Sequence, residues 1–250
     1  MIYRVLWQAG FVLGLVLIAG CSTSEKSGRS GVADAKRTTK INVELQPLPE
    51  RVLKEGATNS LPPLEGEGWQ PMFDGKTLKG WRETEFAGRG EVECKPGVVA
   101  LKMGDPFTGI NWSNDFPKIN YEIALDAMRA SGSDFFCGLT VPVGNAFCSL
   151  IVGGWGGSVV GVSSLDGMDA SENETTKFMN FDNGRWYRIR LRVTDKKIQV
   201  WIDKEKMVDV ETAGKRISVR AGDIEMSKPF GLSAWETTAA FREMKFRTLK

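Results

Sequence analysis

Residues 184–203 constrain the fold more than any other stretch, because apolar and polar side chains alternate along them in two runs. This period of two is typical of a β-strand with one buried face. The two runs predict a hairpin that turns near Asp195. Its predicted pairs are, from the turn outwards, Val193 with Ile198, Leu191 with Val200, and Ile189 with Ile202. A shift of one residue would place arginines in the core, so the register is strongly specified.

The opposite face of the hairpin carries Arg188, Arg190 and Arg192. We expect these arginines to form a solvated surface, on which ion pairs contribute little to stability.

The composition excludes several function classes. The 250 residues carry a formal net charge of +2 and include no histidine. The lack of histidine excludes a histidine-based catalytic triad and a histidine-rich zinc site. Basic residues do not gather into a recurring block, so no nucleic-acid partner is expected. Neither a CxxC pair nor an Asp-x-Asp-x-Asp spacing occurs, so the sequence predicts no metal site, and no cofactor is expected.

The N-terminus has the pattern of an export signal. A positive start at Arg4 precedes an apolar run over residues 5–18, which ends in Leu-Ile-Ala-Gly before Cys21. This ending resembles the bacterial lipobox, in which the cysteine is lipidated. We therefore predict a lipoprotein signal peptide over residues 1–20, a lipid anchor at Cys21 and a flexible tether over residues 21–67. Ser22 favours the outer membrane of a bacterial cell envelope, and an uncleaved membrane anchor is the alternative.

Residues 68–250 are predicted to form one domain. Short runs with strand character are separated by Gly, Pro, Asn and Asp at the spacing expected of a sandwich or barrel. The polar stretch 163–180 reads as an insertion, and residues 214–225 as a loop with a short strand. No amphipathic helix of useful length occurs. The fold class is therefore all-β, a single antiparallel β-sandwich with jelly-roll connections.

Three cysteines remain after Cys21, namely Cys94, Cys137 and Cys148. An oxidising compartment would permit a disulfide between Cys137 and Cys148 on neighbouring strands. Both nevertheless lie in apolar contexts, in which a free cysteine behaves as a small buried hydrophobe. The free state is the favoured interpretation.

Ordered pieces of the sequence resemble the 3-keto-disaccharide hydrolase domain family. The opening WQPMFDGKTLKGW at residues 69–81 carries the resemblance, together with residues 116–129, 184–203 and 240–242. The resemblance covers about residues 69–247. It implies a concanavalin-like jelly roll that acts on a saccharide already oxidised at C3, a 3-keto-glycoside. A ketone at C3 acidifies the C2 proton, so that a base can start an elimination that expels the glycosidic oxygen.

Three motifs of the family are changed in this chain. Relatives have an Asn-Ser-Gly strand that ends in arginine, where this chain has residues 133–140 without that arginine. Relatives also have a Tyr-Glu-x-x-x-x-Asp strand, where this chain is apolar over residues 147–152. Ser233 and Trp235 stand in place of a Gln-x-His pair.

Acid or base catalysis requires a carboxylate within reach of the sugar. The two candidates are Glu236, which follows a predicted strand, and Asp134, which opens one. Each is also explained as a solvated turn carboxylate. Arg190 and its two neighbours would stabilise an enediolate, unless they form only the polar face of the hairpin.

Aromatic side chains are the candidates for sugar binding, because a flat ring packs against the C–H face of a pyranose. Trp155 is the first candidate, since four glycines surround it. Trp112, Trp201 and Trp235 follow. Two hypotheses therefore remain open: a lipid-anchored hydrolase of 3-keto-glycosides, and a non-catalytic carbohydrate-binding lipoprotein on the same sandwich. The sequence does not indicate an oligomeric state.

Overall fold

The computed structural model of the protein describes residues 61–250. The predicted signal peptide, Cys21 and most of the predicted tether lie outside the described residues. Among residues 61–250, no helix has both the length and the apolar character needed to cross a membrane.

Two antiparallel sheets make up the described domain, and their strands are numbered here in chain order. Sheet A contains β1 (Gln70–Pro71), β3 (Val92–Lys95), β4 (Val98–Leu101), β6 (Tyr121–Gly132), β11 (Trp186–Val193), β12 (Lys197–Ile202), β13 (Glu205–Glu211) and β15 (Thr237–Thr248). Sheet B contains β2 (Trp81–Glu83), β5 (Phe107–Trp112), β7 (Cys137–Val143), β8 (Ala146–Gly154), β9 (Val159–Ser163), β10 (Lys177–Phe178) and β14 (Gly231–Trp235).

The order of the strands is that of a jelly roll. Sheet A runs β13-β12-β11-β6-β15-β4-β3, with β1 paired to β15, and sheet B runs β10-β9-β8-β7-β14-β5-β2. The last two strands of the chain, β14 and β15, lie inside the two sheets rather than at their edges. The predicted fold class, an all-β antiparallel sandwich, is confirmed.

The predicted hairpin is confirmed with its register. β11 pairs with β12 so that Leu191 lies opposite Val200 and Val193 lies opposite Ile198. Along β11 the buried residues alternate with half-buried arginines. The apolar face of this hairpin packs against the inner face of sheet B in a shared core. Alternation thus selects both the strand and the face that it buries.

The arginines of the hairpin lie on its polar face, as expected, but they are half-buried rather than fully solvated. They cover two fully buried carboxylates on β6, Glu122 and Asp126, which lie directly opposite Arg192 and Arg188 in the register. Glu122 pairs with Arg190 (3.0 Å), Arg192 (3.4 Å) and Arg247 (2.7 Å), and Asp126 pairs with Arg188 and with Arg242 (3.1 Å). Buried carboxylates need such partners, because a lone buried charge is costly.

The residues just before the domain also contact sheet A. The guanidinium of Arg247 donates to the backbone oxygens of Glu65 (3.3 Å) and Glu67 (3.2 Å), and Arg188 donates to that of Pro62 (3.0 Å). The end of the predicted tether therefore lies against the domain.

All three described cysteines are free, as the favoured interpretation predicts. Cys137 lies opposite Val152 and Cys148 lies opposite Val141, so the two cysteines are not cross-strand neighbours. Both thiols are fully buried among the apolar side chains of the core.

The loops differ in detail from the sequence prediction. Residues 214–225 were expected to hold a short strand, but a 3-10 helix forms at Asp223–Ser227 and only an isolated bridge joins Ile217 to Leu165. Ile224 of this helix is buried against the outer face of sheet B, and that apolar anchor decides where the loop lies.

Candidate functional site

A cleft of about 480 Å³ lies on the outer face of sheet B, between the β8–β9 turn and the loop that leads into the 3-10 helix. Its lining comes from strands β5, β8, β9 and β14, from the β6–β7 loop, from the two loops just named and from the 3-10 helix: Phe107, Asp134, Phe135, Ile151, Trp155, Ser163, Arg220, Ala221, Gly222, Asp223, Ile224 and Trp235. Because side chains alternate across a strand, the outward residues of sheet B form this floor while their neighbours enter the core.

The floor of the cleft is aromatic. The rings of Phe107 and Trp235 meet edge to face with centroids 4.6 Å apart, and Phe135 lies 6.0 Å from Phe107. These rings belong to a small apolar cluster that is separate from the core between the sheets. Flat apolar surfaces of this kind suit the C–H faces of a sugar ring.

One wall of the cleft is Trp155, which is 41% exposed. It lies at the turn after β8, where a bulge shifts the pairing of β8 with β9 between Val152 and Gly154. Its backbone is left-handed, with φ of 49°, a conformation that costs about 1 kcal/mol for a residue with a side chain. The turn therefore holds a large indole out of the core and beside the aromatic floor.

Asp134 fixes this turn from the other side. Its Oδ2 accepts a hydrogen bond from the backbone N–H of Gly156 at 3.0 Å, and its Oδ1 accepts one from the N–H of Phe135 at 2.7 Å. The backbone N–H of Asp134 in turn donates to the hydroxyl of Thr237 at 3.2 Å. The carboxylate is thus held in one orientation at the edge of the cleft.

Arg220 and Asp223 bring charge to the opposite wall. The guanidinium of Arg220 lies 3.3 Å from the carboxylate of Asp169, which also accepts hydrogen bonds from the hydroxyls of Ser163 and Ser164. Asp223 is exposed, and its carboxylate has no hydrogen bond or ion pair within residues 61–250. The cleft therefore contains two carboxylates and one guanidinium around an aromatic floor.

The centre of the outer face of sheet B, beside the cleft, carries small side chains. Thr140 and Ser149 share a hydrogen bond of 2.8 Å across β7 and β8, and Ser233 donates to the backbone oxygen of Gly138 at 3.3 Å. None of these four positions is ionisable, and the three hydroxyl residues are fully buried.

The structure brings three of the predicted site residues together. Asp134, Trp155 and Trp235 all line the cleft. Glu236 follows Trp235 but is exposed and does not line the cleft; its backbone N–H donates to the oxygen of Pro106 at 2.8 Å. The β14–β15 turn, which gives Glu236 a φ of 43°, takes it off the strand that carries Trp235.

The other predicted binding residues lie elsewhere. Trp112 is at the far end of β5 from Phe107, with its ring 5.2 Å from that of Trp81. Arg190 and Trp201 are on the outer face of sheet A, where the guanidinium lies 4.2 Å from the centre of the indole. Because β11 and β12 belong to the sheet that does not carry the cleft, these two residues do not contribute to it.

Sequence reasoning missed Phe107, Phe135, Ile151, Arg220 and Asp223. The sequence held a signal for Phe107, Phe135 and Ile151. Each is an apolar residue on the outward side of its segment, next to residues that already point into the core. No comparable signal marks Arg220 and Asp223, which reach the cleft only through the docking of Ile224.

No group of three or more potential metal ligands occurs among residues 61–250. The potential ligand groups in the cleft are the carboxylates of Asp134 and Asp223 and the hydroxyl of Ser163; the carboxylates come from two different segments, the β6–β7 loop and the 3-10 helix.

Three solved structures illustrate the similarity of this chain to known proteins. A proposed glycosyl hydrolase from Parabacteroides distasonis is 15% identical, with a TM-score of 0.47, and the match covers 73% of this chain and 94% of that one. The carbohydrate-binding module CBM66 from Bacillus subtilis is 14% identical, with a TM-score of 0.47 and coverage of 68% and 96%. The β-glucanase of Bacillus licheniformis is 9% identical, with a TM-score of 0.47 and coverage of 75% and 100%.

A comparison with curated proteins gave no match. The family model of the 3-keto-alpha-glucoside-1,2-lyase-like domain matches residues 68–247, which include every residue that lines the cleft and all of the two sheets except Thr248. This chain belongs to the 3-keto-alpha-glucoside-1,2-lyase-like domain family.

Proposed function

We propose that the protein binds a glycoside in the cleft of sheet B and cleaves it when its C3 carries a ketone. The observation that carries the proposal is that Trp155, Asp134 and Arg220 converge on one aromatic cleft. The family to which the chain belongs supports the choice of 3-keto-glycosides as substrates.

The proposed reaction is an elimination followed by hydration. A base removes the proton from C2, and the negative charge spreads to the oxygen at C3. The C1–O bond then breaks, a C1=C2 double bond forms, and the departing oxygen takes up a proton. Water adds afterwards across the double bond, so that the net result is hydrolysis.

Asp134 is the proposed base, because two backbone N–H groups fix its carboxylate in the cleft that Trp155 also lines. A fixed base gains from orientation, since less order must be created in the transition state. Arg220 is proposed to stabilise the negative oxygen at C3, and Asp223 to accept a hydrogen bond from a sugar hydroxyl.

The test is incubation of the protein with a panel of 3-keto-glucosides and their unoxidised parents. We expect turnover of the keto forms alone and a loss of at least 100-fold in the variant Asp134→Asn. The matched control is Asp195→Asn, which changes an exposed aspartate in the β11–β12 turn. Equal turnover of Asp134→Asn and wild type would overturn the assigned base.

A second function is a non-catalytic carbohydrate-binding protein. It is favoured by the small residues at the centre of the outer face of sheet B, Gly138, Thr140, Ser149 and Ser233. Saccharide binding that depends on Trp155, without turnover of any keto form, would select this function.

We also propose that Cys21 carries the lipid anchor and places the domain in a bacterial cell envelope at the outer membrane. The variant Cys21→Ser should then move the protein from the membrane fraction to the soluble fraction without changing its melting temperature. A variant that stays in the membrane fraction would contradict the anchor.

A further inference from the structure

A second pocket, of about 470 Å³, lies on the other side of the Trp155 turn from the cleft. Its lining comes from the end of β6 and from three loops, and its polar side chains are Arg129, Ser133, Ser158, Asn180, Asp182 and Asn183. Ser133 and Gly156 are the direct neighbours of Asp134 and Trp155, which line the cleft. A saccharide that extends past Trp155 would therefore reach this pocket.

Arg129, at the base of the pocket, is only 5% exposed. Its guanidinium donates to three backbone oxygens, those of Asp134 (3.3 Å), Gly157 (3.3 Å) and Phe181 (2.9 Å). Within residues 61–250 no carboxylate lies within ion-pair distance of it, and its Nε has no hydrogen-bond partner. The carboxylate of Asp126, three residues earlier on β6, is paired with two other arginines, Arg188 and Arg242.

A buried charge without a counter-charge is unfavourable, because burial removes its hydration. Consistently, burial lowers the pKa of Arg129 below its ordinary value, and the charges of Tyr187 and Asp134, which lie near it but outside ion-pair distance, offset this fall only in part. Backbone oxygens compensate this loss only in part, since they carry no full charge. The missing partner is an anion, and the pocket that borders Arg129 has room for one.

The rim of the pocket supports recognition of an anionic sugar. The hydroxyls of Ser133 and Ser158 and the amides of Asn180 and Asn183 supply neutral donors. Asp182 is the one carboxylate in the lining, and it is exposed at the rim rather than paired with Arg129. It opposes a bound anion from a distance without neutralising the guanidinium.

We propose that this pocket is a subsite for a sugar that carries a carboxylate, with Arg129 as the residue that pairs with it. The proposal rests on the proposed function, because it places the acidic sugar next to the one stacked on Trp155. It narrows the ligand class to saccharides that contain a uronic acid.

The test compares the binding of two disaccharides that differ only in a carboxylate, a glucuronyl-glucose and the neutral glucosyl-glucose, by calorimetry with the whole protein. A sulfated glucosyl-glucose is the third ligand, and it shows whether another oxyanion replaces the carboxylate. We expect the glucuronyl form to bind at least tenfold more tightly than the neutral form. Equal binding of the two would overturn the subsite, and so would tighter binding of the sulfated form than of the glucuronyl form.

Two variants separate charge recognition from folding. Arg129→Gln should abolish the preference for the acidic disaccharide, but it also removes the hydrogen bonds that join the guanidinium to the backbone of three loops. Asp182→Asn leaves those hydrogen bonds in place, because the carboxylate of Asp182 makes no hydrogen bond within the described residues. Asp182→Asn should strengthen the binding of the acidic disaccharide two- to fivefold and leave the binding of the neutral one unchanged. Asp195→Asn should change the binding of neither. An Asp182→Asn variant that affects both disaccharides equally would contradict the assignment.

The failure of this subsite is distinguishable from the failure of the cleft. If Trp155→Ala loses its binding of the neutral disaccharide, the cleft is supported, whether or not the protein prefers the acidic disaccharide. Unchanged binding of the neutral disaccharide by Trp155→Ala, together with a retained acidic preference, would support the subsite and contradict the cleft.

Discussion

Glu122 and Arg247 lie directly opposite each other on the paired strands β6 and β15, and Nη2 of Arg247 is 2.7 Å from Oε2 of Glu122. The two residues are 125 positions apart in the sequence. Glu122 is fully buried, whereas the arginines over it reach the surface in part. The pair thus joins the last strand to the centre of sheet A through a charge that water does not reach.

The substitution Glu122→Gln should therefore destabilise the protein strongly. It leaves three guanidinium groups close together without their common carboxylate, and removal of one member of a buried ion pair costs about 3–5 kcal/mol. Urea unfolding measures this loss. The control is Glu243→Gln, an exposed glutamate that pairs with Lys245 on the same strand and should change stability by less than about 0.5 kcal/mol. Similar unfolding midpoints for both variants would contradict a structural role for the buried carboxylate.

The sequence predicted the hairpin and its register because alternation records which face of a strand is buried. It did not predict the ion pairs, because Glu122 and Asp126 alternate with apolar residues just as exposed residues do. Only the pairing of β11 with β6 brings Arg192 and Arg188 opposite them. Alternation identifies the polar side of a strand but carries no information about what covers that side.

The site was predicted only in part, because some of its residues leave a local pattern in the sequence and others do not. Trp155 was recognisable because its glycine neighbours offer it no local packing. Arg220 and Asp223 were not, because their place in the cleft depends on a loop held by one buried residue, Ile224. Long-range docking of this kind leaves no local pattern in a sequence.

Trp155→Ala should weaken saccharide binding by tenfold or more, which corresponds to about 1.4 kcal/mol. The indole is substantially exposed, so the melting temperature should stay nearly unchanged. Calorimetry and thermal melts on the same variant measure both quantities. The control is Trp201→Ala, on the outer face of sheet A, which should not change binding. A loss of stability near 3 kcal/mol, as for a buried tryptophan, would show that Trp155 serves packing instead.

The buried thiols should be unreactive in the native protein. Burial raises the pKa of Cys148 to about 12 and that of Cys137 further, and the thiolate is the reactive form. In the variant Cys21→Ser at pH 8, we expect both thiols to react with Ellman's reagent at least roughly a thousandfold more slowly than in guanidinium chloride. Cys94 serves as the internal comparison, because it is only half-buried. Its pKa is also raised, by desolvation and by the charge of Asp74. Rapid reaction of two or more thiols before unfolding would refute the burial.

Asp74 should make stability depend on pH on the acid side. Hydrogen bonds from the Thr77 side chain and from the backbone of Thr77 and Lys76 hold its pKa at about 2. Because this pKa lies below the unfolded value of about 3.9, the stabilisation is complete above pH 5 and is lost as the pH falls towards 2. The melting temperature of wild type should exceed that of Asp74→Asn at pH 6, and the difference should shrink by pH 2.5. A difference that stays constant over this range would exclude the titration of Asp74 as its cause.

The interior positions of β14 and β15 have a consequence for synthesis. Each sheet is completed by a strand from the end of the chain, so a nascent chain that stops before residue 231 lacks an interior strand in both sheets. Domains fold as units, and partly made sheets expose unpaired edges. Neither sheet can therefore reach its native pairing until residues 231–248 have been synthesised and can enter it.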